Sequence, residues 1–344
     1  MNMRTWLEEV KSAPRKKAMP ILSFPCISLM GITVRELISD SELQAKGMKL
    51  VSERVKSAAS VSMMDLSVEA EAFGAKVHVS DADVPTVVGS IVNSLEDAQS
   101  LAIPQVGAGR TGRYVDAFGK ACKLIQDRPV LAGVIGPFSL TGRLVGVAES
   151  LVNCIEKPDM MTATLQKVTP FLIEYIKAYK AVGANGIVMA EPLTGLLSPR
   201  LAVKFSESYV REIVEAVQSD DFIVVYHNCG GSASKMAESI SRTGADAFHF
   251  GDSIELRKML EQMPTDKLVM GNVSPSIYFH SGTPESIKEE TKRIMGECCQ
   301  YPNFVISSGC DIPAMAPWEN ITAFFEAVDE FYDAQEKYTQ ADKL

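Results

Sequence analysis

The sequence predicts an α/β fold, a single (β/α)₈ barrel of the TIM type with extra helices at the N-terminus and over the barrel mouth. Eight short apolar runs bounded by turn residues alternate along the chain with helical segments. The runs are apolar throughout instead of alternating with polar residues, which indicates strands buried on both faces of a parallel sheet. The predicted strands are Met19 to Ile27, Val61 to Leu66, Val130 to Gly136, Gly186 to Ala190, Phe222 to His227, Ala247 to Gly251, Leu268 to Asn272 and Phe304 to Ser308.

Helix starts between the strands support this alternation. Ser198-Pro199 and Thr283-Pro284 each pair an N-cap oxygen with proline at the first helical position. A doubly wound open sheet is the alternative, but Gly107-Ala-Gly109 follows no predicted strand, and no other turn is of the dinucleotide-binding type. The segment from Ser67 to Asp127 is longer than one βα unit requires, so we expect extra helices or a short hairpin that cap the barrel mouth. We expect one domain over residues 1–344.

Composition and charge disfavour several classes of protein. Basic residues number 34 and acidic residues 43, which gives a net charge of −9. Because no basic stretch alternates with aromatic residues, nucleic acid is not expected as a partner. No apolar run approaches the ~20 residues of a membrane span, the odd number of cysteines, 7, disfavours a disulfide framework, and no leader sequence is recognisable. We therefore expect a cytoplasmic enzyme, as a monomer or a homodimer.

Two of the predicted strands are followed by residue types that commonly bind metal ions. His227 and Cys229 follow the run Phe222-Ile-Val-Val-Tyr226, and Cys310 follows the run Phe304-Val-Ile-Ser-Ser308. Because functional residues of barrels gather at the carboxyl ends of the strands, we expect these three side chains to meet. Two thiolates and one imidazole suit Zn²⁺, and three protein ligands with one open position are typical of catalytic zinc sites. The alternative is that the histidine is a hydrogen-bonded strand end and the cysteines are small core residues.

Other polar residues stand at the same ends of the predicted strands, namely Asp65, Glu191, Asp252, Asn272 and Ser307. In the absence of substrate we expect water or a carboxylate to take the fourth metal position, with Asp252 and Glu191 as the candidate carboxylates. The alternative is that these carboxylates make hydrogen bonds or orient the ligand histidine. Asp65 and Asn272 are candidates to orient the substrate, with capping of a helix or turn as the alternative. Ser307 is a candidate contact to a cofactor.

Longer motifs surround these residues. They are Val225-Tyr-His-Asn-Cys-Gly230, Gly271-Asn-Val-Ser-Pro275, Ser307-Ser-Gly-Cys-Asp-Ile-Pro313, Gly136-Pro-Phe-Ser139, and Asp65 followed by Glu69-Ala-Glu-Ala-Phe-Gly74. Together they resemble the uroporphyrinogen decarboxylase superfamily, from about Pro20 to the C-terminal helix. Within it, the His-x-Cys pair and the distal cysteine resemble the zinc-dependent methylcobamide:coenzyme M methyltransferases. Ser274 departs from the pattern, because much of the superfamily has aspartate there.

The resemblance distinguishes two activities. Decarboxylases of the superfamily grip substrate carboxylates with an Arg-Gln-Ala-Gly-Arg segment near the N-terminus, whereas the corresponding stretch here, Phe24-Pro-Cys-Ile-Ser-Leu-Met-Gly-Ile-Thr33, contains no arginine. The resemblance therefore implies methyl transfer. It implies that His227, Cys229 and Cys310 hold Zn²⁺ and that a thiol such as coenzyme M binds there as the thiolate. It also implies that the methyl donor is a methyl-Co(III) corrinoid, carried by a partner protein that docks at the barrel mouth.

A sulfonated acceptor such as coenzyme M needs a cation near its binding site. Arg143, which follows Gly136-Pro-Phe-Ser-Leu-Thr-Gly142, is the candidate, and Arg110 and Arg113 are alternatives. Two other functions are open. The same zinc chemistry can serve another acceptor, homocysteine or tetrahydrofolate, or the protein can be a noncatalytic corrinoid or tetrapyrrole carrier with structural zinc.

Overall fold

The strands of the protein, which a computed structural model describes over residues 1–341, form two sheets. The nine strands of this range are β1 (Ser60–Val61), β2 (Lys76–His78), β3 (Thr86–Val88), β4 (Val130–Ile135), β5 (Gly186–Ala190), β6 (Ile223–Asn228), β7 (Ala247–Phe250), β8 (Leu268–Val273) and β9 (Phe304–Ser308). Seven of them form a parallel sheet in the order β1-β4-β5-β6-β7-β8-β9, and β2 and β3 form an antiparallel hairpin. Seven of the eight predicted strands are thus present.

An extended segment from Ala18 to Leu22 closes the sheet into a barrel. The amide of Met19 donates to the carbonyl of Ile306 in β9 (3.0 Å), at one edge of the sheet. At the other edge, the amide of Ala58, two residues before β1, donates to the carbonyl of Ala18 (2.8 Å). The segment therefore occupies the eighth position of the ring, and the predicted α/β barrel is confirmed.

The first predicted strand, Met19 to Ile27, is wrong as a regular strand. Pro20 has no N–H to donate to a ladder. The amide of Ile21 binds the Oγ of Ser308 (3.0 Å) instead of a backbone carbonyl. The chain then turns into a helix that begins at Cys26. A proline and a serine side chain thus replace the regular ladder that the apolar run predicts.

The second predicted strand, Val61 to Leu66, is shorter than expected for a related reason. After Val61 the amide of Ser62 still donates to the carbonyl of Leu131 (3.0 Å). The amide of Gly133, however, donates to the Oγ of Ser62 (2.9 Å) instead of a backbone oxygen. Because a serine side chain again replaces a backbone acceptor, the regular strand pairing ends here.

The barrel interior is filled by one apolar cluster with members from every strand of the main sheet and from the closing segment. These members are Met19, Ile21, Val61, Leu131, Val188, Ala190, Ile223, Val225, Ala247, Leu268, Met270 and Val305. Members on one strand are two positions apart, as expected for side chains that share a face. Two positions further along β6, β7 and β9, the interior residues are His227, His249 and Ser307, all of which are buried. A polar layer therefore lies directly above the apolar one.

Helices surround the barrel. Over residues 1–341 they are α1 (Met3–Ser12), α2 (Cys26–Met30), α3 (Val34–Ser39), α4 (Ser41–Arg54), α5 (Val68–Ala72), α6 (Leu95–Ser100), α7 (Thr111–Leu124), α8 (Pro137–Val145), α9 (Val147–Glu156), α10 (Pro158–Ala181), α11 (Pro199–Ala202), α12 (Ser208–Val217), α13 (Ala237–Arg242), α14 (Leu256–Leu260), α15 (Pro284–Cys298) and α16 (Trp318–Ala341). Short 3₁₀ turns span Pro192–Leu196 and Ala233–Lys235, and π-helical turns span Val203–Glu207 and Pro275–His280. None of the helices in the described range combines the length and the apolar character that crossing a bilayer requires.

Local sequence accounts for several of these helices. Both predicted starts are present, because the Ser198 side chain accepts from the amide of Leu201 and the Thr283 side chain from the amide of Ser286. The long segment from Ser67 to Asp127 contains both extra helices, α5 to α7, and a hairpin, β2 and β3, as predicted.

Barrel closure gives a testable prediction. Ser308→Ala removes the acceptor of the buried Ile21 amide, and an unpaired buried donor costs about 1–3 kcal/mol. We expect a lower urea midpoint of unfolding and faster hydrogen exchange at Ile21. The control is Ser276→Ala, because Ser276 is exposed and its side chain makes no hydrogen bond within the described residues. Equal midpoints and equal exchange in both variants would show that this bond does not hold the closing segment.

Candidate metal centre

The side chains of His227, Cys229 and Cys310 meet at the carboxyl ends of β6 and β9. One ligand atom from each lies within 4.8 Å of the others, and the Sγ of Cys310 is 3.4 Å from the Nε2 of His227. Glycine makes room for this arrangement, because a Cβ at Gly251 would lie 2.4 Å from the Cβ of Cys229. The convergence that the sequence predicts is therefore present in the fold.

The three donors fit a zinc ion in chemistry and in spacing. Zn–S bonds of ~2.3 Å and Zn–N bonds of ~2.0–2.1 Å place tetrahedral ligand atoms roughly 3.5–3.8 Å apart. The ligand atoms of His227, Cys229 and Cys310 all lie within 4.8 Å of one another, at most about 1 Å beyond that spacing. In the described residues, no carboxylate belongs to the group. The protein thus offers two sulfur donors and one nitrogen donor, the number that a zinc ion with one open tetrahedral position would need.

Each cysteine of the trio changes the pKa of the other. A hydrogen bond from Cys310, together with the nearby His227, lowers the pKa of Cys229. The same bond and burial raise the pKa of Cys310 well above its usual value. Of the two, Cys229 is therefore the one that more readily loses its proton. A thiolate is the form in which cysteine binds metals.

A second histidine, His249, lies next to His227 on the neighbouring strand. His249 faces His227 across the β6–β7 pair, and the two Nδ1 atoms are 2.7 Å apart. The Nε2 of His249 is 2.7 Å from the Oγ of Ser307, which donates to the carbonyl of Met19 (2.8 Å). Burial, followed by the proximity of His227, lowers the pKa of His249 well below its ordinary value. His249 is not among the residues that the sequence analysis singles out, although its place at the end of the strand that follows His227 is a signal for it.

Ser307 does not contact the open side of the trio. It is fully buried, and its hydroxyl is shared between His249 and Met19. The expectation of a direct cofactor contact therefore does not fit its position. Ser307 instead supports the residue behind His227.

A cavity of about 500 Å³ opens beside Cys310. Such a volume is in the range of small-molecule sites. Its lining combines apolar residues near the trio and the hairpin, Met64, Leu66, Val84, Pro85, Val87, Pro313, Ala314 and Met315, with the polar residues Ser67, Asp83, Thr86, Arg143, His280 and Asp311. One buried carboxyl oxygen of Asp311 has no hydrogen-bond partner, and burial raises the pKa of this carboxyl well above its ordinary value.

Arg143 lies on α8 and lines the same cavity as Cys310. It is half-buried, and burial lowers the pKa of its guanidinium. No carboxylate of the described residues pairs with it. An arginine that is partly desolvated and lacks an internal counter-charge is suited to bind an anionic group of a ligand.

The two alternative arginines, Arg110 and Arg113, do not line this cavity. The guanidinium of Arg110 binds the carboxylates of Asp65 and Glu71. Arg113 is exposed, and its head group reaches the carbonyl of Ile38. Of the three arginines considered, Arg143 alone lines the cavity.

Glu191 is not brought to the trio. Its Oε1 accepts from the amide of Phe138 (2.8 Å), and its Oε2 accepts from the amide (3.1 Å) and hydroxyl (2.9 Å) of Ser139 and from the hydroxyl of Thr194 (2.9 Å). Burial raises its pKa to about 7, against the effect of these hydrogen bonds. The carboxyl group thus binds the start of α8, and a role as fourth metal ligand does not fit this position.

Asp65 is also occupied elsewhere. One oxygen binds Arg110 and accepts from the hydroxyl of Tyr114 (2.8 Å), and the other accepts from the amide (3.1 Å) and hydroxyl (2.6 Å) of Ser67. The cavity beside Cys310 is lined by neighbours of Asp65 but not by Asp65 itself. Its observed role is to hold the chain after β1 against α7.

Asn272 and Asp252 belong to one loop contact. The side-chain amide of Asn272 donates to the carbonyls of Gly251 (2.9 Å) and Ile254 (2.7 Å), which fixes the loop between β7 and α14. Asp252 is exposed in this loop and packs against Gly309, next to Cys310. Its carboxylate does not join the trio. Asn272 therefore positions the loop, and Asp252 lies beside the metal centre without contributing a donor.

Comparison with curated proteins gives two kinds of relative. Methylcobamide:CoM methyltransferase MtbA of Methanosarcina mazei is 26% identical over 275 residues, which are 78% of this chain and 78% of that protein. Uroporphyrinogen decarboxylase of Coxiella burnetii is 26% identical over 291 residues, 81% of this chain and 79% of that protein. Overall identity therefore does not separate the two activities, and the residues of the site must do so.

The fold and a family model agree on the wider relationship. The solved structure of a methyltransferase from Methanosarcina mazei matches with a TM-score of 0.84 at 26% identity, covering 96% of this chain and 98% of that chain. The family model described as uroporphyrinogen decarboxylase (URO-D) matches residues 14–331, nearly the whole chain. The protein thus belongs to the uroporphyrinogen decarboxylase family and resembles its methylcobamide:CoM methyltransferases.

Proposed function

We propose that this protein is a zinc-dependent methyltransferase that moves a methyl group from a methyl-Co(III) corrinoid to a small thiol such as coenzyme M. The observation that carries the proposal is the meeting of His227, Cys229 and Cys310 beside a cavity of about 500 Å³. Three metal ligands next to a space for a small molecule are typical of a catalytic zinc site. The methylcobamide:CoM methyltransferases among the relatives support the same reaction.

The chemistry requires a soft nucleophile at neutral pH, but a free thiol has a pKa of ~8.5 and is mostly protonated. Zinc bound by the trio would supply a position at which the acceptor thiol is held as the thiolate. The acceptor sulfur attacks the methyl carbon. A carbon–sulfur bond forms, the cobalt–carbon bond breaks, and the electron pair leaves with cobalt as Co(I). As thiolates on that zinc, Cys229 and Cys310 would keep the centre free of surplus positive charge, so that the acceptor sulfur would stay nucleophilic.

The methyl donor reaches the site from outside. A corrinoid is much larger than a cavity of about 500 Å³, so only its methyl face can approach the acceptor sulfur. We therefore propose that a separate corrinoid protein docks at the barrel mouth and presents the cofactor. Met315, which is 55% exposed and also lines the cavity, lies at this opening.

Arg143 supports an acceptor with an anionic group. A sulfonate or carboxylate on the thiol can make charge-assisted hydrogen bonds to the guanidinium, which among the described residues has no carboxylate partner. The other end of the same molecule would then reach the trio. Arg143 and Cys310 line one cavity, which is the arrangement that such a two-ended ligand needs.

Decarboxylation of a porphyrinogen is not favoured. Its substrate carries several carboxylates, each of which needs a cation when it leaves water. The described lining of the cavity contains one arginine, Arg143, and one histidine, His280. The stretch from Phe24 to Thr33, which resembles the arginine-rich segment of decarboxylases in position only, contains no arginine.

An acceptor panel tests the proposal directly. The zinc-loaded protein is mixed with methylcobalamin and with coenzyme M, homocysteine or tetrahydrofolate, and the visible spectrum is followed for Co(I). We expect demethylation with a thiol acceptor. Demethylation with tetrahydrofolate alone would support the folate alternative. Stoichiometric binding of cobalamin with no demethylation by any acceptor would indicate a carrier and overturn the proposal.

Removal of a metal ligand gives the second test. Cys310→Ser replaces a soft donor with a hydroxyl, so we expect zinc affinity to fall by more than ~100-fold, beyond the ~10–100-fold typical of residues that only support a ligand. Zinc content after dialysis and the rate of methylcobalamin demethylation measure the effect. The control is Cys122→Ser, because Cys122 is half-buried on α7 and lies outside the trio. Full zinc content and full methyl transfer in Cys310→Ser would contradict the proposed centre.

Removal of the cation gives the third test. We expect Arg143→Ala to raise the KM for coenzyme M roughly 10–100-fold, because charge-assisted hydrogen bonds contribute about 1.5–3 kcal/mol. The KM for 2-mercaptoethanol, which carries no charge, should not change. Arg113→Ala is the matched control, since Arg113 is exposed and does not line the cavity. An equal loss for the charged and the uncharged thiol would mean that Arg143 does not bind the acceptor's anionic group.

A further inference from the structure

A continuous line of buried polar groups runs from the back of His227 to the segment that closes the barrel. The Nδ1 of His227 is 2.7 Å from the Nδ1 of His249, the Nε2 of His249 is 2.7 Å from the Oγ of Ser307, and this Oγ is 2.8 Å from the carbonyl oxygen of Met19. His227, His249 and Ser307 are each 0–1% exposed. The line has a direction, because its last member can only accept.

The direction assigns each proton in turn. The Met19 carbonyl has no other donor among the described residues, so the single hydroxyl proton of Ser307 goes to it. The Oγ of Ser307 then accepts from the N–H at Nε2 of His249. A neutral imidazole has one N–H, so the Nδ1 of His249 carries a lone pair and accepts from the N–H at Nδ1 of His227. His227 is left with its free lone pair on Nε2, the atom 3.4 Å from the Sγ of Cys310.

We propose that His249 is a positioning residue that holds His227 in the one tautomer able to present Nε2 to the metal centre. This role rests on the metal centre of the proposed function. Ligand histidines usually donate their other N–H to a carboxylate, a carbonyl or water. Here the nearer acceptor is the ring of a second histidine at 2.7 Å, with the backbone carbonyl of the same His249 at 3.3 Å, and Ser307 and Met19 orient that ring.

The opposite assignment leaves poor contacts at every step. With its proton on Nδ1, His249 would have no proton on Nε2, which lies 2.7 Å from the Oγ of Ser307. Because the Ser307 hydroxyl donates its proton to the Met19 carbonyl, no hydrogen bond could form between these two atoms. It would also force His227 to accept at Nδ1 and to place its own N–H at Nε2, against the sulfur of Cys310. Two lone pairs would face each other in a buried site, where an unmet hydrogen bond costs about 1–3 kcal/mol.

The tautomers can be read directly by NMR. The chain has 4 histidines, so nitrogen-15 labelling of histidine gives a small set of imidazole signals. In the wild-type protein, with and without zinc, we expect His249 to be protonated at Nε2 alone. We also expect a scalar coupling between the Nδ1 nitrogens of His227 and His249 across their hydrogen bond. A proton on Nδ1 of His249 would overturn the proposal, whatever the activity of the protein.

Two substitutions at one position separate hydrogen bonding from packing. His249→Phe keeps a ring but removes the acceptor, and we expect the Kd for zinc to rise roughly 10-fold or more in competition with a chelator. His249→Asn places a carbonyl oxygen close to the former Nδ1, so it should recover most of the affinity despite its smaller size. Wild-type affinity in His249→Phe, or a larger loss in His249→Asn than in His249→Phe, would mean that the histidine only fills space.

A third variant acts one step further back and leaves both histidines in place. Ser307→Ala removes the acceptor of the Nε2 proton, so we expect the imidazole signals of His249 to show a mixture of tautomers and zinc to bind more weakly. Unchanged signals would contradict the proposed direction of the line. If the wild-type protein binds no zinc while the NMR assignment holds, the proposed function fails and the tautomer assignment stands, so the two failures are distinguishable.

Discussion

Closure of the sheet is the constraint on which the site depends. Two strands, β7 and β8, separate β6 from β9 in the hydrogen-bonded order. In a flat sheet, three strand spacings would hold His227 and Cys310 roughly 14 Å apart, whereas in the barrel Nε2 and Sγ are 3.4 Å apart. The ring is completed by a short extended segment whose backbone binds both edges of the sheet. The geometry of the metal centre therefore depends on hydrogen bonds made at residues 18–22, far from it in sequence.

The same closing segment ends the hydrogen-bond line behind the site. A polar layer of His227, His249 and Ser307 lies on an apolar layer of Val225, Ala247 and Val305. Burying three polar side chains would be costly unless each has a partner. The Met19 carbonyl supplies the terminal acceptor, so one residue belongs both to the closure of the barrel and to the orientation of a candidate ligand. Met19 therefore makes one hydrogen bond that closes the barrel and one that orients the residues behind His227.

The apolar pattern of the sequence predicts the strands and their order, but not the contacts of individual side chains. Runs such as Phe304 to Ser308 identify strands, and the barrel topology then places their ends together, which suffices to predict the meeting of the trio. The direction of a side chain at a strand end is not encoded in the pattern. Glu191 and Asp65 stand at the predicted ends but turn to donors from α8 and α7, which only the tertiary structure supplies. His249 was missed because its partner is a neighbouring histidine across a strand pair and not a cysteine at ligand spacing.

The positions of Glu191 and Asp65 affect the electrostatics of the proposed metal centre. A carboxylate 4 Å from a thiolate would oppose it by about 4 kcal/mol at an effective dielectric constant of ~20. Glu191 instead accepts hydrogen bonds from the start of α8, and Asp65 pairs with Arg110. With two protein thiolates and a divalent zinc ion, the proposed centre is neutral until a thiolate acceptor adds a negative charge. An acceptor with a second anionic group adds another, and Arg143 is the arginine of the cavity lining that can offset it. The lining also contains Asp83 and Asp311, and burial raises the pKa of Asp311 well above its ordinary value, which favours the neutral carboxyl group. Arg143 is therefore the group of the lining that favours an anionic substituent on the thiol.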